Sequence, residues 1–386
     1  MAVTDNRPYF FDQTPDTLAA LLADWGMPRF RAAQVMDWVY QKGVANPQAM
    51  VNLSKQDRVM LVERMVFLRG AVLQHQLATD GTQKLLVDWS LTEDDLHADD
   101  KPRGGEASGT SLNVLQDTTL GSSKTQTECV MIPATSSDSG KLRKTACVSS
   151  QIGCAVGCKF CASGMGGLDG NLSPGQIVQQ VWQLAQLPKV GRISNVVFMG
   201  MGEPLTNFRA VTHAAKAMTA DWGLGISVRK VTISTVGVPN MMKRLAEQDL
   251  GVTLAISLHA PNDAVRKQII PWAEFVTIDQ LIEAGRYYFE KTGREVTLEY
   301  ILLSGVNDQP EHARELAEVS RKLRSNINLI RYNEVDGLPF GRPLNEAVYV
   351  FQQILRDAGR VVHLRASRGR DIAAACGQLR HEQAQA

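Results

Sequence analysis

In the first seventy residues, apolar positions recur every three or four residues, the spacing of one helix face. DTLAALLADWG (16–26), RFRAAQVMDWVYQKG (29–43) and LSKQDRVMLVERM (53–65) each carry it. Thr14-Pro15 supplies a helix start, Gly26 and Gly43 supply stops, and Ser54 can cap the third helix. Residues 1–70 therefore predict a small helical module. Its Arg29, Arg31, Lys42 and Lys55 suit either a solvated packing face or a surface that contacts nucleic acid. The period then changes. Residues 71–91 and 126–133 alternate as strands do, with a turn signal at Asp80-Gly81. They predict a β extension over 71–133. A polar, acidic, Gly/Ser-rich insertion at about 92–123 interrupts it, and no function is assigned to that insertion.

From about residue 145 onward, short β-branched runs alternate with helical stretches, and 134–386 is expected to form the barrel with its C-terminal catalytic segment. The runs are ACVSSQ (146–151), NVVFMG (195–200), KVTIST (230–235), TLAISLH (253–259), VTLEYILL (296–303), INLIRYN (327–333) and VVHLRAS (361–367). Apolar strands alternating with helices predict an α/β fold with a parallel sheet under helices. Six or seven such units make a partial (β/α)6-type barrel, open or closed. Chemistry in barrels sits at the C-terminal strand ends. Polar residues stand there: Gly202-Glu203, Ser234, Ser257, His259 and Asn333.

At 44% hydrophobic and 21% charged residues, the 386-residue chain has enough apolar content to fold and is not disordered throughout. Lys and Arg (41) nearly cancel Asp and Glu (40), so a nucleic-acid site has to be a local patch. Candidates for phosphate contact at the barrel mouth are Arg143, Lys144, Arg229, Lys230, Lys243, Arg244, Arg365, Arg368 and Arg370. No apolar run approaches the roughly 18 residues of a bilayer span, and the N-terminus is not a secretory signal. The expected compartment is the cytoplasm, with no membrane partner. RHEQAQA (380–386) reads as a frayed tail.

Six cysteines are too few for a disulfide scaffold, yet three fall together as Cys154-Ala-Val-Gly-Cys158-Lys-Phe-Cys161. Zinc usually takes two spaced pairs of ligands. Iron–sulfur clusters take thiolates, and three of them can hold a 4Fe-4S cluster with one iron left open. A zinc site completed by a histidine is the alternative. Cys147 and Cys376, taken alone, read as small buried hydrophobes, and Glu128 as an exposed sheet-edge carboxylate.

This cysteine spacing, with an aromatic before the last cysteine, resembles the radical S-adenosylmethionine (SAM) superfamily. CVSSQIGC, CKFCASG, FMGMGEPLTN, VTISTVGV, LAISLHAPND, INLIRYNEV and AACGQL resemble, more narrowly, the RlmN/Cfr family of radical SAM RNA methyltransferases. The resemblance spans nearly the whole chain. It implies a radical SAM barrel, with Cys154, Cys158 and Cys161 as cluster ligands. It also implies SAM contacts at Gly202, Glu203, Ser234, Ser257, Leu258, His259 and Asn333.

The implied reaction consumes two SAM molecules per turnover. One methylates Cys376. A second is cleaved at the cluster to a 5′-deoxyadenosyl radical, which takes a hydrogen from that methyl group. The carbon radical adds to an adenine ring carbon, Glu128 accepts the ring proton, and Cys147 releases the base by attacking the Cys376 sulfur. The detour makes sense because an electrophilic ring carbon cannot attack the electrophilic methyl of SAM. The implied activity is methylation of adenosine C2 in 23S rRNA and in tRNA, with an electron-donor protein such as flavodoxin. Alternatives are C8 methylation of 23S rRNA as in antibiotic resistance, a radical SAM enzyme acting on a small molecule or protein, and a non-catalytic iron–sulfur RNA-binding protein. No role is assigned to Cys129.

Overall fold

The computed structural model describes residues 5–91, 123–135 and 142–379. The polar insertion, apart from Ser123, and the 380–386 tail lie outside the described residues.

The three N-terminal helices form where the apolar period places them, at Pro15–Asp24, Arg31–Met36 and Lys55–Arg64. Thr14 and Thr17 close a capping box on the first, and the Ser54 hydroxyl accepts from Asp57 N–H at 3.0 Å on the third. The second helix runs on as a π turn over Asp37–Gln41, for which the sequence carries no signal. This module shares its core with the barrel. Phe10, Phe11 and Tyr40 pack in one apolar cluster with Trp182. Polar ties cross the same boundary. Tyr9 Oη donates to Gln179 at 2.5 Å, and Trp182 Nε1 donates to the Val39 carbonyl at 2.9 Å.

Among the described residues, ten strands form one sheet. Strands β1 (Ala71–Leu77), β2 (Gln83–Asp88), β3 (Gln126–Thr135) and β4 (Leu142–Cys147) pair antiparallel. From β4 onward pairing is parallel, through β7 (Asn195–Phe198), β8 (Val231–Thr235), β9 (Thr253–Ser257), β10 (Val296–Leu302), β11 (Ser325–Arg331) and β12 (Val362–Arg365). The seven parallel strands are the seven β-branched runs. Among the described residues the sheet does not close, since β1 and β12 are its two edges. Strand β4 begins earlier than the apolar run suggests, because pairing with β3 carries its polar start, Leu142-Arg143-Lys144, into the sheet.

Helices alternate with the parallel strands up to β12, beginning with the Ser173-capped helix Pro174–Gln186. A separate two-stranded sheet, β5 (Gln151–Gly153) with β6 (Leu168–Asn171), frames the cysteine loop. The short polar run of β6 offered no signal for it.

Candidate active site

At the C-terminal ends of the parallel strands lies an open cavity of about 150 Å³. Cys154, Cys158, Cys161 and Cys376 all line it. The last of these comes from more than two hundred residues downstream of the other three.

The β5–β6 frame pins the cysteine loop at its base, where Cys154 N–H donates to the Gly167 carbonyl at 2.7 Å. A side chain at Gly164 would sit 3.1 Å from Cys158 N, so anything larger than glycine would push the loop apart by a few tenths of an ångström. All three thiols are free, and burial pushes each upward, Cys154 to about 12. The donor set is soft sulfur, which favours iron–sulfur or zinc over hard-cation binding. Among the described residues, no three His, Cys, Asp or Glu side chains converge as a single metal ion requires. A 4Fe-4S cluster takes one thiolate per iron and needs no such convergence. The loop therefore fits a cluster better than a lone zinc.

Gly202, Glu203, Ser234, Ser257 and His259 also line the cavity. Gly202 has φ +97°, and a side chain there would meet Gln151 Cβ at 2.6 Å. Glu203 spends one carboxylate oxygen on Leu205 N–H at 3.0 Å and the other on Val236 N–H at 2.7 Å. It thus ties the β7 and β8 ends together, and burial raises its pKa. The Ser234 and Ser257 hydroxyls lie 3.3 Å apart. His259 is left-handed at φ +58°, and its Nδ1 accepts from Ile301 N–H at 3.1 Å. That bond leaves the ring proton on Nε2. Burial, then Arg266, lowers its pKa to about 3, so the ring is neutral.

Leu258 and Asn333 are buried and do not line the cavity. The Leu258 N–H donates to the Glu299 carbonyl at 3.1 Å, and the Asn333 amide donates to the Cys376 carbonyl at 3.4 Å. Asn333 thus reaches the segment that carries Cys376.

Cys147 and Glu128 lie beside the cavity rather than on its wall. The register pairs Lys84 with Val130 and Val130 with Cys147, which puts these three and Glu128 on one sheet face. Ala374 and Leu379 of the C-terminal segment pack on that face with Val130 and Cys147. Burial first, then the Cys376 sulfur, pushes the Cys147 thiol up to about 12. The edge reading of Glu128 is corrected: β3 is interior, and Glu128 is buried against Lys84 with Nζ–Oε1 2.6 Å. Cys129 points to the opposite face, into the main core.

A second correction concerns the cations. Arg143, Lys144, Arg229 and Lys230 precede or begin β4 and β8, so they sit at the sheet end opposite the cavity. Lys243 pairs with Glu283 at 2.6 Å, and Arg244 stacks on Phe208. Only Arg365, Arg368 and Arg370, at and beyond the end of β12, stand on the mouth side.

Sequence reasoning missed Lys84 and Glu299, and read Arg365 only as a phosphate contact. Arg365 lines the cavity, with one guanidinium nitrogen 3.4 Å from Glu299, and the Cys376 sulfur, then Glu299, holds it firmly protonated. The available signal was a charged residue inside an otherwise apolar strand, in KLLV and TLEYIL.

Comparison with known proteins agrees with this layout. Residues 148–317 match the model of the radical SAM superfamily, and residues 10–67 match that of the ribosomal RNA large subunit methyltransferase N-terminal domain. A relative from Salinibacter ruber, named "Probable dual-specificity RNA methyltransferase RlmN", is 40% identical and aligns with 95% of this chain and 92% of its own. A "Dual-specificity RNA methyltransferase RlmN" from Syntrophus aciditrophicus is 37% identical, with 97% of each chain covered. The crystal structure of a radical SAM methyltransferase from Sphaerobacter thermophilus superposes with a TM-score of 0.83 at 37% identity, covering 97% of this chain and all of that one. No helix among the described residues is long and apolar enough to cross a membrane. With near-complete coverage at this identity, the chain belongs to the RlmN family of radical SAM RNA methyltransferases.

Proposed function

We propose that this enzyme methylates C2 of an adenosine in 23S rRNA and in tRNA, carrying the methyl group on Cys376. The observation that supports this most is Cys376 on the same cavity wall as Cys154, Cys158 and Cys161. A thiol placed there can take up a methyl group and present it where the cofactors bind.

Cys154, Cys158 and Cys161 would hold the 4Fe-4S cluster, and Gly202, Glu203, Ser234, Ser257 and His259 would cradle SAM, with Leu258 and Asn333 behind them. When bound, the pair supplies the one-electron chemistry that an electrophilic ring carbon requires. The Cys376 thiolate would take its methyl group from one SAM, and a second would be consumed in each turnover. Glu128 takes the proton that leaves the adenine ring. Cys147 attacks the Cys376 sulfur, so that an S–S bond forms and the S–CH2 bond breaks; the released methylene carbon takes up a proton, and the electron left from the radical passes to the one-electron carrier. The target base is extruded to reach this depth. The module up to residue 70 contacts the RNA, Thr79, Asp80 and Lys84 of the β extension brace the C-terminal segment, and the barrel with that segment carries the chemistry. A flavodoxin-type protein donates electrons, and the enzyme works in the cytoplasm.

The test is anaerobic reconstitution with SAM, reductant and 23S rRNA, followed by mass-spectrometric mapping of the methyl group. A methyl on C2 supports the reading. A methyl on C8, or none, overturns it.

A further inference from the structure

The face beneath the C-terminal segment holds a charge that the reaction above does not use. Lys84 lies in the interior strand β2, between β1 and β3, where a lysine is rarely buried. Its ammonium is 2.6 Å from Glu128 Oε1 and 3.4 Å from the Ala373 carbonyl. Both side chains of the ion pair are nearly inaccessible, at 8% and 6% exposure. A buried ion pair of this kind is weak evidence for stability, because desolvation offsets most of the attraction. Its value lies in what it orients. The Ala373 carbonyl is three residues from Cys376, and Ala373 itself adopts φ +48°, unusual for a residue with a side chain. One ammonium thus touches the carboxylate on the sheet and the turn that leads into the methyl-carrying segment.

We propose that Lys84 is a positioning residue for the proton-transfer step, fixing the Glu128 carboxylate relative to Cys376. This rests on the reading of Glu128 as the proton acceptor. Lys84 holds the carboxylate through Oε1 and so fixes its place relative to the turn at Ala373. In that step the ring C–H bond breaks, its electron pair stays in the ring, and an O–H bond forms on Glu128. Lys84 only donates hydrogen bonds, to Glu128 and to the Ala373 carbonyl. Its donation to Ala373 holds the acceptor and the methyl carrier in one frame, so both shift together if the C-terminal segment moves.

The experiment compares Lys84→Met, Glu128→Gln and the double variant in reconstituted full-length enzyme with 23S rRNA. Three quantities are read: methyl loaded on Cys376, covalent protein–RNA adduct, and methylated RNA released. Methyl loading precedes the proton step, so it reports whether each variant folds. The expected result is normal loading in Lys84→Met with released product down at least about tenfold and adduct accumulating. The double variant is expected to be no slower than Glu128→Gln alone, because Lys84 acts through Glu128. Should Lys84→Met fail to load Cys376, Lys84→Gln and the double variant, which leaves no lone buried charge, carry the same comparison. Wild-type release by a Lys84 variant while Glu128→Gln is slow overturns the proposal, as does additive slowing in the double variant. Wild-type release by Glu128→Gln instead overturns the Glu128 reading itself.

Discussion

The Ala162 N–H donates to the Gly377 carbonyl at 2.8 Å. One residue follows the last cysteine of the loop and the other follows Cys376, so this bond ties together two sulfurs that the sequence separates widely. A second tie lies beside it, where the Ser163 hydroxyl donates to the Leu379 carbonyl at 2.5 Å. The position of Cys376 is therefore set by the cysteine loop as much as by its own segment.

Ser163→Ala removes the side-chain tie and leaves the backbone bond. The loss is expected to cost about 1 kcal/mol locally. The C-terminal segment should then open more often. Alkylation of Cys376 should become faster and methyl loading slower, with global unfolding little changed. Timed alkylation with peptide mass spectrometry checks this, and unchanged Cys376 reactivity would mean that the tie carries no positional load.

Gly202→Ala tests the close approach beside the cavity. The new Cβ would lie 2.6 Å from Gln151 Cβ and 2.9 Å from Gln151 N, at a φ of +97°. The expected cost is about 1–3 kcal/mol, with weaker SAM binding as Gln151 and the loop shift. Denaturant titration and calorimetric SAM binding report the two effects separately.

His259 makes stability depend on pH. Its folded pKa, about 3, lies below the unfolded value of 6.5. Between the two, the unfolded chain holds a proton that the folded chain does not, so acid favours unfolding. Stability should fall as pH drops below about 6.5, by at most about 1.4 kcal/mol per pH unit from this group. Above that range His259 contributes no slope. Denaturation from pH 5 to 8 for wild type and His259→Gln checks the sign, and the variant should show the shallower acid slope.

The cluster ligands make a prediction of their own. Burial keeps the Cys154, Cys158 and Cys161 thiols protonated near neutrality. Loading iron and sulfide must therefore displace about one proton per thiol. A pH indicator in weakly buffered, metal-free protein would register that release. Cys154→Ala should lower it and abolish the iron–sulfur absorbance.

The parallel half of the fold was legible because its strands are short, apolar and β-branched, as buried strands must be. The N-terminal helices were legible from period and caps such as Thr14 and Ser54. The cysteine trio could be seen because metal chemistry demands sulfur at close spacing. Glu128 was misjudged as an edge residue because sequence carries no record of which strand pairs on either side. The same gap put Arg229 and Lys230 at the mouth, although strand direction places them at the far end. Lys84 escaped notice because its partners, Glu128 and Ala373, lie 44 and 289 residues away in sequence.

The central claim is that a methyl group passes through Cys376 on its way to RNA, and isotope tracing tests it most directly. The enzyme is loaded with SAM carrying a labelled methyl, freed of excess cofactor, and then given unlabelled SAM, reductant and 23S rRNA. The account predicts label first on the Cys376 peptide and then, in the first turnover, on adenosine C2. Label-free methyl on the RNA in that turnover, or RNA methylation by Cys376→Ala, would contradict it.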